Sequence, residues 1–320
     1  MNTLNTNKYR WSAAGNAPLL FPTELVMGDF LFDDDTKLKI IGTDPFASTW
    51  GKPISISLSP EKYLPAPKYI LMAWFSLVEG RFYGIIDALP KEVIERFLSE
   101  KNEITQAPKY NTLIAGMAPY GKLAIWLSGN NITTQVAWLH GKEVLVNSKE
   151  LNHNAKLTKE EYAKQALAKC KEACENFRKN GLPHPSLFEQ YMQKFNYRIT
   201  PTFENAKFER IEINYYNGEC NALNSGEHTL NTMRAKPSKI TLHWSKGKER
   251  YEGNFCTNEQ KIVEAFSNFY GNDVEKEGEL IIQIDSSQKK CRILLQSKDA
   301  SVEIPVEEMK YVVFNKNENP

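Results

Sequence analysis

Over residues 1–150 the apolar positions fall in short runs with the two-residue period of β-strands. Leu25 to Phe32 is apolar and bounded by Pro22 and the run Asp33–Asp35, and Ile54, Ile56 and Leu58 alternate with serines. Tyr69 to Val78 is a longer run that Gly80 turns into Arg81–Ile86. The period then changes: Pro90 stands where a first-turn proline belongs, and Val93, Ile94, Phe97 and Leu98 form a helical stripe to about Glu100. Thr112–Met117, Lys122–Leu127 and Thr133–Leu139 predict three further strands, with Pro119–Gly121 as the turn between the first two.

The segment that follows is helical. Thr158 with Glu161 is a capping-box pair, and Tyr162, Ala166, Leu167, Cys170, Cys174 and Phe177 carry one stripe to the stop at Asn180–Gly181. Pro185–Lys194 predicts a second helix. Strand periods return at Tyr197–Thr200 and Phe208–Tyr216. A polar stretch from Asn217 to Lys236, expected to be mobile, precedes a strand pair and a helix from Asn258 to Tyr270. Leu280–Ile284, Cys291–Leu295, Val302–Ile304 and Lys310–Phe314 predict the closing strands. The expected fold class is α+β: two related domains of mostly antiparallel sheet with one helix each, residues 1–150 and 196–320, joined by a helical hairpin over 151–195.

The two halves look like copies. Pro67, Ile70, Met72 and Trp74 match Pro237, Ile240, Leu242 and Trp244 at an offset of 170. After a one-residue slip, Arg81, Phe82 and Gly84 match Arg250, Tyr251 and Gly253, and Val93, Ile94, Glu95 and Phe97 match Ile262, Val263, Glu264 and Phe266.

Charge narrows the function. Lys plus Arg number 40 and Asp plus Glu 39, so the main electrostatic argument for nucleic acid is missing and no nucleic-acid partner is expected. No run approaches the roughly 20 apolar residues that span a bilayer, and Met1 to Asn7 is polar, without the basic start and apolar centre of a secretory signal. As written the chain is expected in the cytoplasm, and in the periplasm or on a lipid anchor only if a leader has been removed. The five cysteines, Cys170, Cys174, Cys220, Cys256 and Cys291, all lie beyond residue 169, which suits free thiols better than a disulfide framework.

Catalytic signatures are sparse: there is no Gly-rich phosphate loop, nucleophile elbow or paired-His metalloprotease helix. Cys170 and Cys174 share a helix face and are expected to pack on the buried stripe, with a zinc site completed by His184 or His153 as the lesser alternative. Asp33, Asp34 and Asp35 are consecutive, whereas a calcium loop needs alternating carboxylates, so they read as a solvated turn. Trp74 and Trp244 end equivalent strands and are expected as core aromatics covering the helix of their own repeat, with a stacking platform as the lesser alternative. Arg81 and Arg250 have the matched Glu95 and Glu264 as candidate partners. No cofactor or metal is expected.

The opening Trp11-Ser12-Ala13-Ala14, then Ala17-Pro18 and Phe21-Pro22, resembles a bacterial family. So do Trp74-Phe75-Ser76-Leu77 with Phe82-Tyr83, and Gly116-Met117-Ala118-Pro119-Tyr120-Gly121 running into Ile125-Trp126-Leu127-Ser128-Gly129. It is the domain-of-unknown-function family numbered twenty-nine thirty-one, and the likeness covers residues from about 9 to 140. The resemblance implies a context and no catalytic residues: many members are described as lipoproteins, and such proteins are often found near type six secretion genes, where partner-binding proteins neutralise or chaperone toxins.

The expected function is therefore non-enzymatic protein binding, as an immunity or accessory protein for a secreted toxin. Candidate contact residues are Asp33, Asp34 and Asp35 in the acidic turn, Phe46 and Trp50 as exposed aromatics, and Glu227, His228 and Arg234 in the polar stretch. A carbohydrate- or envelope-ligand-binding protein is the alternative, and a hydrolase with a spatially assembled site the third.

Overall fold

The computed structural model describes residues 7–41, 45–54, 63–103, 105–146, 157–227 and 230–315. The chain divides into two compact units, residues 1–188 and 189–320. Both are mostly antiparallel sheet with a few helices.

The first unit contains β1 (Ser12–Asn16), β2 (Thr23–Leu31), β3 (Lys37–Lys39), β4 (Tyr69–Ser76), β5 (Arg81–Ala88), α1 (Lys91–Ser99), β6 (Thr112–Ala118), β7 (Lys122–Gly129), β8 (Ile132–His140) and β9 (Lys142–Glu143). The expected strand over Ile54–Leu58 falls, beyond Ile54, outside the described residues. One sheet has the order β3-β2-β4-β5-β9, antiparallel throughout. In the other, β1 runs parallel to β6, and β7 and β8 follow antiparallel. Every second residue of β4 (Ile70, Met72, Trp74) faces the core, where it meets Phe30, Ile94 and Leu98 of α1, and Leu113, Ala115, Leu123 and Ile125. The far face of β6 and β7 is covered too: Trp50 packs edge-on against Trp126 at 4.6 Å and against Phe188 at 5.5 Å.

The helical segment begins as its capping box dictates, with both reciprocal hydrogen bonds of Thr158 and Glu161 formed. It is two helices, not one. α2 (Lys159–Lys169) and α3 (Lys171–Asn180) meet at Cys170, whose ψ of 80° leaves the helical region, and Gly181 ends α3 at φ 69°. Their apolar side chains Ala163, Ala166, Leu167 and Ala173 seal Phe75 and Phe82 of the first sheet and Leu77 of the turn between β4 and β5, so both helices are part of this unit's packing. Cys170 and Cys174 lie against the same cluster. α4 (Leu187–Met192) carries the chain into the second unit.

The second unit contains β10 (Phe195–Phe203), β11 (Lys207–Tyr215), β12 (Cys220–Asn224), β13 (Thr232–Arg234), β14 (Pro237–Lys246), β15 (Glu249–Thr257), α5 (Glu259–Tyr270), β16 (Gly278–Ile284), β17 (Cys291–Gln296), β18 (Ser301–Ile304) and β19 (Val306–Asn315). The stretch Asn217–Lys236, expected to be polar and mobile, contains β12 and β13, and both its ends are buried. The sheet orders are β12-β11-β14-β15-β19 and β13-β10-β16-β17-β18, with β10 parallel to β16. The core lies between the two sheets and under α5.

Pairing order is the same in both units. The sequence β2–β3, β2–β4, β4–β5, β5–β9, β1∥β6, β6–β7, β7–β8 has its counterpart in β11–β12, β11–β14, β14–β15, β15–β19, β10∥β16, β16–β17, β17–β18. The residue match requires correction. Trp74 stands opposite Tyr83, and Trp244 opposite Tyr251, so the counterpart of Tyr251 is Tyr83 and not Phe82. The helix shifts with it: the buried positions Ile94 and Leu98 of α1 have the spacing of Ile262 and Phe266, two of the five buried positions of α5, with Ala265, Phe269 and Tyr270. The hairpin connection is 77–80 in the first unit and 247–248 in the second, so the slip is two residues. Gly84 faces outward beside Ala73, whereas Gly253 faces the core beside Leu242, because a one-residue offset reverses the side of the sheet. Arg81 pairs with Glu143 at 3.1 Å and Arg250 with Glu209 at 3.6 Å, not with Glu95 and Glu264.

Candidate functional site

The residues singled out from sequence do not converge. Asp33 is bound to Lys91 and to Lys68 (3.4 Å), and the hydrogen bond from Lys91 holds its carboxyl below the usual range. Asp34 accepts from the Thr36 backbone at 3.1 Å, and Asp35 takes φ 60°, so the three acids form a turn. Phe46, expected in an exposed loop, is fully buried against Gly15. Trp50, also expected to be exposed, has its indole N–H buried without a partner among the described residues. Glu227 accepts from the Asn224 N–H at 2.8 Å. Arg234 donates to the Tyr197 carbonyl at 2.6 Å. His228 lies outside the described residues, as does His153. Trp74 and Trp244 are both fully buried, which removes them as stacking platforms. No group of three or more His, Cys, Asp or Glu placed to hold a metal occurs among the described residues.

What sequence reasoning missed is the outward face of the first sheet. Side chains that alternate with the core positions form rows across β2, β4 and β5: Met27–Ala73–Gly84, Asp29–Leu71–Ile86 and Leu31–Tyr69–Ala88. Ile86 is 69% exposed, Met27 41% and Tyr69 38%, while Leu31, Leu71 and Ala73 are half-buried around them. The one charge in the rows, Asp29, is buried and held by Lys37 at 3.0 Å. The other end of this face is closed by α2 and α3, and Tyr162 donates to Glu24 at 2.7 Å there. Reading Tyr69–Val78 as one apolar run concealed the fact that no described helix covers its outward side chains Tyr69, Leu71 and Ala73.

The corresponding face of the second unit has the opposite character. Its rows are Glu212–Thr241–Asn254 and Arg210–His243–Glu252–Val312. Arg210 pairs with Glu212 at 2.7 Å, Thr241 donates to Asn254 at 2.8 Å, and Asn254 donates to Glu252 at 2.9 Å. Such a network pairs most of its polar groups within the sheet, although the buried Arg210 Nε has no hydrogen-bond partner among the described residues.

One buried cation stands out in the second unit. Lys236 is almost completely enclosed, donating to the Gln190 carbonyl at 2.6 Å with its ammonium 4.9 Å from the Phe195 ring. Burial pushes its pKa down to about 8. Between that value and the unfolded 10.5 the unfolded chain holds the proton and the folded chain does not, so stability rises with pH across this window. Relative to Lys236→Met, the wild-type protein is expected to gain about 2 kcal/mol between pH 8 and pH 10. Urea unfolding of both proteins at matched pH measures it. The comparison is needed because Cys291, raised to about 12 by burial, works in the opposite direction above pH 9.

The model of a family described as Protein of unknown function (DUF2931) matches residues 1–184. The chain belongs to the DUF2931 family. The match ends close to the boundary of the first unit at Phe188, and therefore includes α2, α3 and the half-open sheet face. No curated protein and no solved structure matches the chain. DUF2931 motif residues take structural positions here. Trp11 is buried against Phe30 at 5.9 Å and donates to the Pro65 carbonyl at 3.2 Å. Tyr120 adopts φ 62° in the β6–β7 turn, where its backbone N–H donates to Glu79 at 3.1 Å. Among the described residues no helix is long and apolar enough to cross a membrane.

Proposed function

We propose that this protein acts by binding another protein and does no catalysis of its own, with immunity or accessory duty toward a secreted bacterial toxin as the form its family context implies. The observation that carries the reading is the uncovered apolar face of β2, β4 and β5. Contiguous exposed apolar surface on a folded protein marks a place where another surface docks. Ile86 is the anchor of that face, being the most exposed side chain in its rows. The same sheet is sealed by helices where Phe75 and Phe82 emerge, so the helical cover stops part-way along this face.

Ile86→Glu is expected to leave stability within about 0.5 kcal/mol, as substitutions at exposed positions do, and to abolish partner capture. Quantitative affinity capture from the native host with both proteins tests this. Equal retention of the same proteins by wild type and Ile86→Glu, or retention of none by either, contradicts the reading.

We also infer that the two units are diverged copies of one module. The shared pairing order and the equivalences Trp74/Trp244, Tyr83/Tyr251, Ile94/Ile262 and Leu98/Phe266 support it. An experimental structure in which these residues fail to superpose removes it.

A further inference from the structure

The helices that close one end of the first sheet leave a cavity between themselves and the turn that joins β4 to β5. It holds about 470 Å³, and sites that enclose small molecules span roughly 300–1,000 Å³. Helical spacing builds its walls. Glu160, Ala163, Lys164, Leu167 and Ala168 line it from one face of α2, and Cys174, Phe177 and Arg178 line it from one face of α3. Leu77 and Val78 of the turn are buried, as are Ala163 and Leu167, whereas a Cβ added at Gly80 would meet nothing within 4 Å. The cavity is therefore open beside Gly80. Its charges are unevenly engaged. The Glu79 carboxylate already accepts from the Tyr83 hydroxyl at 2.7 Å and from the Tyr120 N–H at 3.1 Å, and Glu160 lies 3.9 Å from Lys159. Lys164 and Arg178 are exposed and have no acidic partner among the described residues. Long basic side chains of this kind lay their stems on apolar surface and keep the charge in water.

We propose that this cavity binds a medium-length, unbranched alkyl carboxylate, its chain against Leu77, Ala163, Leu167 and Phe177 and its head at Lys164 and Arg178. Charge complementarity selects the head. Two cations without acidic partners favour an anion, and a guanidinium can donate two parallel hydrogen bonds to a carboxylate. The chain is selected by what the walls lack. Apart from the four charged residues and the Cys174 thiol, the lining carries no polar side chain. A peptide laid there would bury main-chain N–H and C=O groups without partners, whereas an alkyl chain has none to bury. The site is separate from the Ile86 face and does not depend on the protein-binding reading.

The test titrates decanoate into the full chain with isotope-labelled alanine, isoleucine, leucine and valine methyl groups, read by NMR. The methyl signals of Val78, Ala163 and Leu167 are expected to shift with a submillimolar dissociation constant while that of Ile86 stays in place. Decylamine, which has the same chain and a cationic head, is expected to bind at least tenfold more weakly. Lys164→Glu combined with Arg178→Glu changes two exposed positions and is expected to reverse that preference, weakening decanoate at least tenfold and strengthening decylamine. A folding defect would weaken both. Ala168→Phe fills the cavity from an exposed position and is expected to abolish binding of either amphiphile. Absence of saturable shifts at Ala163 and Leu167, or shifts confined to the Ile86 face, overturns the proposal. Equal affinity of the wild-type protein for decanoate and decylamine overturns it too. Binding of acetyl-Val-Leu-Val with a free carboxylate as tightly as decanoate also overturns it, in favour of a peptide terminus.

Discussion

Replacing Trp244 by alanine is expected to destabilise the second unit by about 3–5 kcal/mol, the usual range for deleting a buried aromatic. Trp244 is fully buried and stacks on Tyr251 at 5.4 Å with the rings 6° apart, while Phe203 and Tyr311 lie at 6.0 and 6.2 Å. Its indole N–H donates to Gln288 at 2.8 Å. Gln288 is itself buried, and its amide donates to the carbonyls of Asp285 (2.9 Å), Glu204 (3.2 Å) and Ser286 (3.2 Å). Alanine therefore opens a cavity and also strands the Gln288 acceptor, which adds a desolvation penalty. A gentler pair separates the two contributions. The indole N–H of Trp74 has no partner among the described residues, so Trp74→Phe should be less costly than Trp244→Phe by about 1 kcal/mol or more. Urea denaturation of the three variants reads this directly. Equal losses for the two phenylalanine variants would mean that the Gln288 bond contributes nothing net.

Gly129→Ala is expected to cost about 3 kcal/mol or to prevent the first unit from folding. A methyl group there would stand 1.8 Å from the Lys109 carbonyl oxygen, and that neighbour is backbone, with no rotamer to move. Gly80→Ala is the control. Gly80 has φ 65°, yet nothing lies within 4 Å of an added Cβ, so its substitution should cost only the strain of a left-handed backbone, about 1 kcal/mol. Thermal unfolding of the two variants distinguishes close approach from backbone conformation. If Gly129→Ala proves no worse than Gly80→Ala, the Lys109 approach is not as tight as described.

Periodicity made most elements legible, because a half-buried strand and an amphipathic helix each write their period into the chain. The capping box at Thr158 and the stop at Gly181 were readable for the same local reason. Four features were not. The break at Cys170 is invisible in a stripe that runs smoothly from Tyr162 to Phe177, since packing on the sheet decides it. Register across the hairpins depends on connection length, and matching Gly84 to Gly253 by letter placed two residues of opposite facing in one column. Exposure of Phe46 was misjudged because polar neighbours suggest a surface loop, while the missing side chain of Gly15 leaves room for the ring. The apolar face around Ile86 was hidden for a related reason. A run apolar on both sides reads as a strand buried on both sides, and only the structure reveals that α2 and α3 reach across half of it.

That partial cover bears on where the first unit of this chain can be cut. The strand pattern ends near residue 143, and a boundary there would look natural. A chain cut at residue 150 would nevertheless present Phe75 and Phe82 to solvent along with the face already open around Ile86, turning one selective surface into a continuous sticky one. The compact unit runs on through Phe188, whose buried ring packs on Phe21 and Trp50, and the two helices act as the domain's own solubility device.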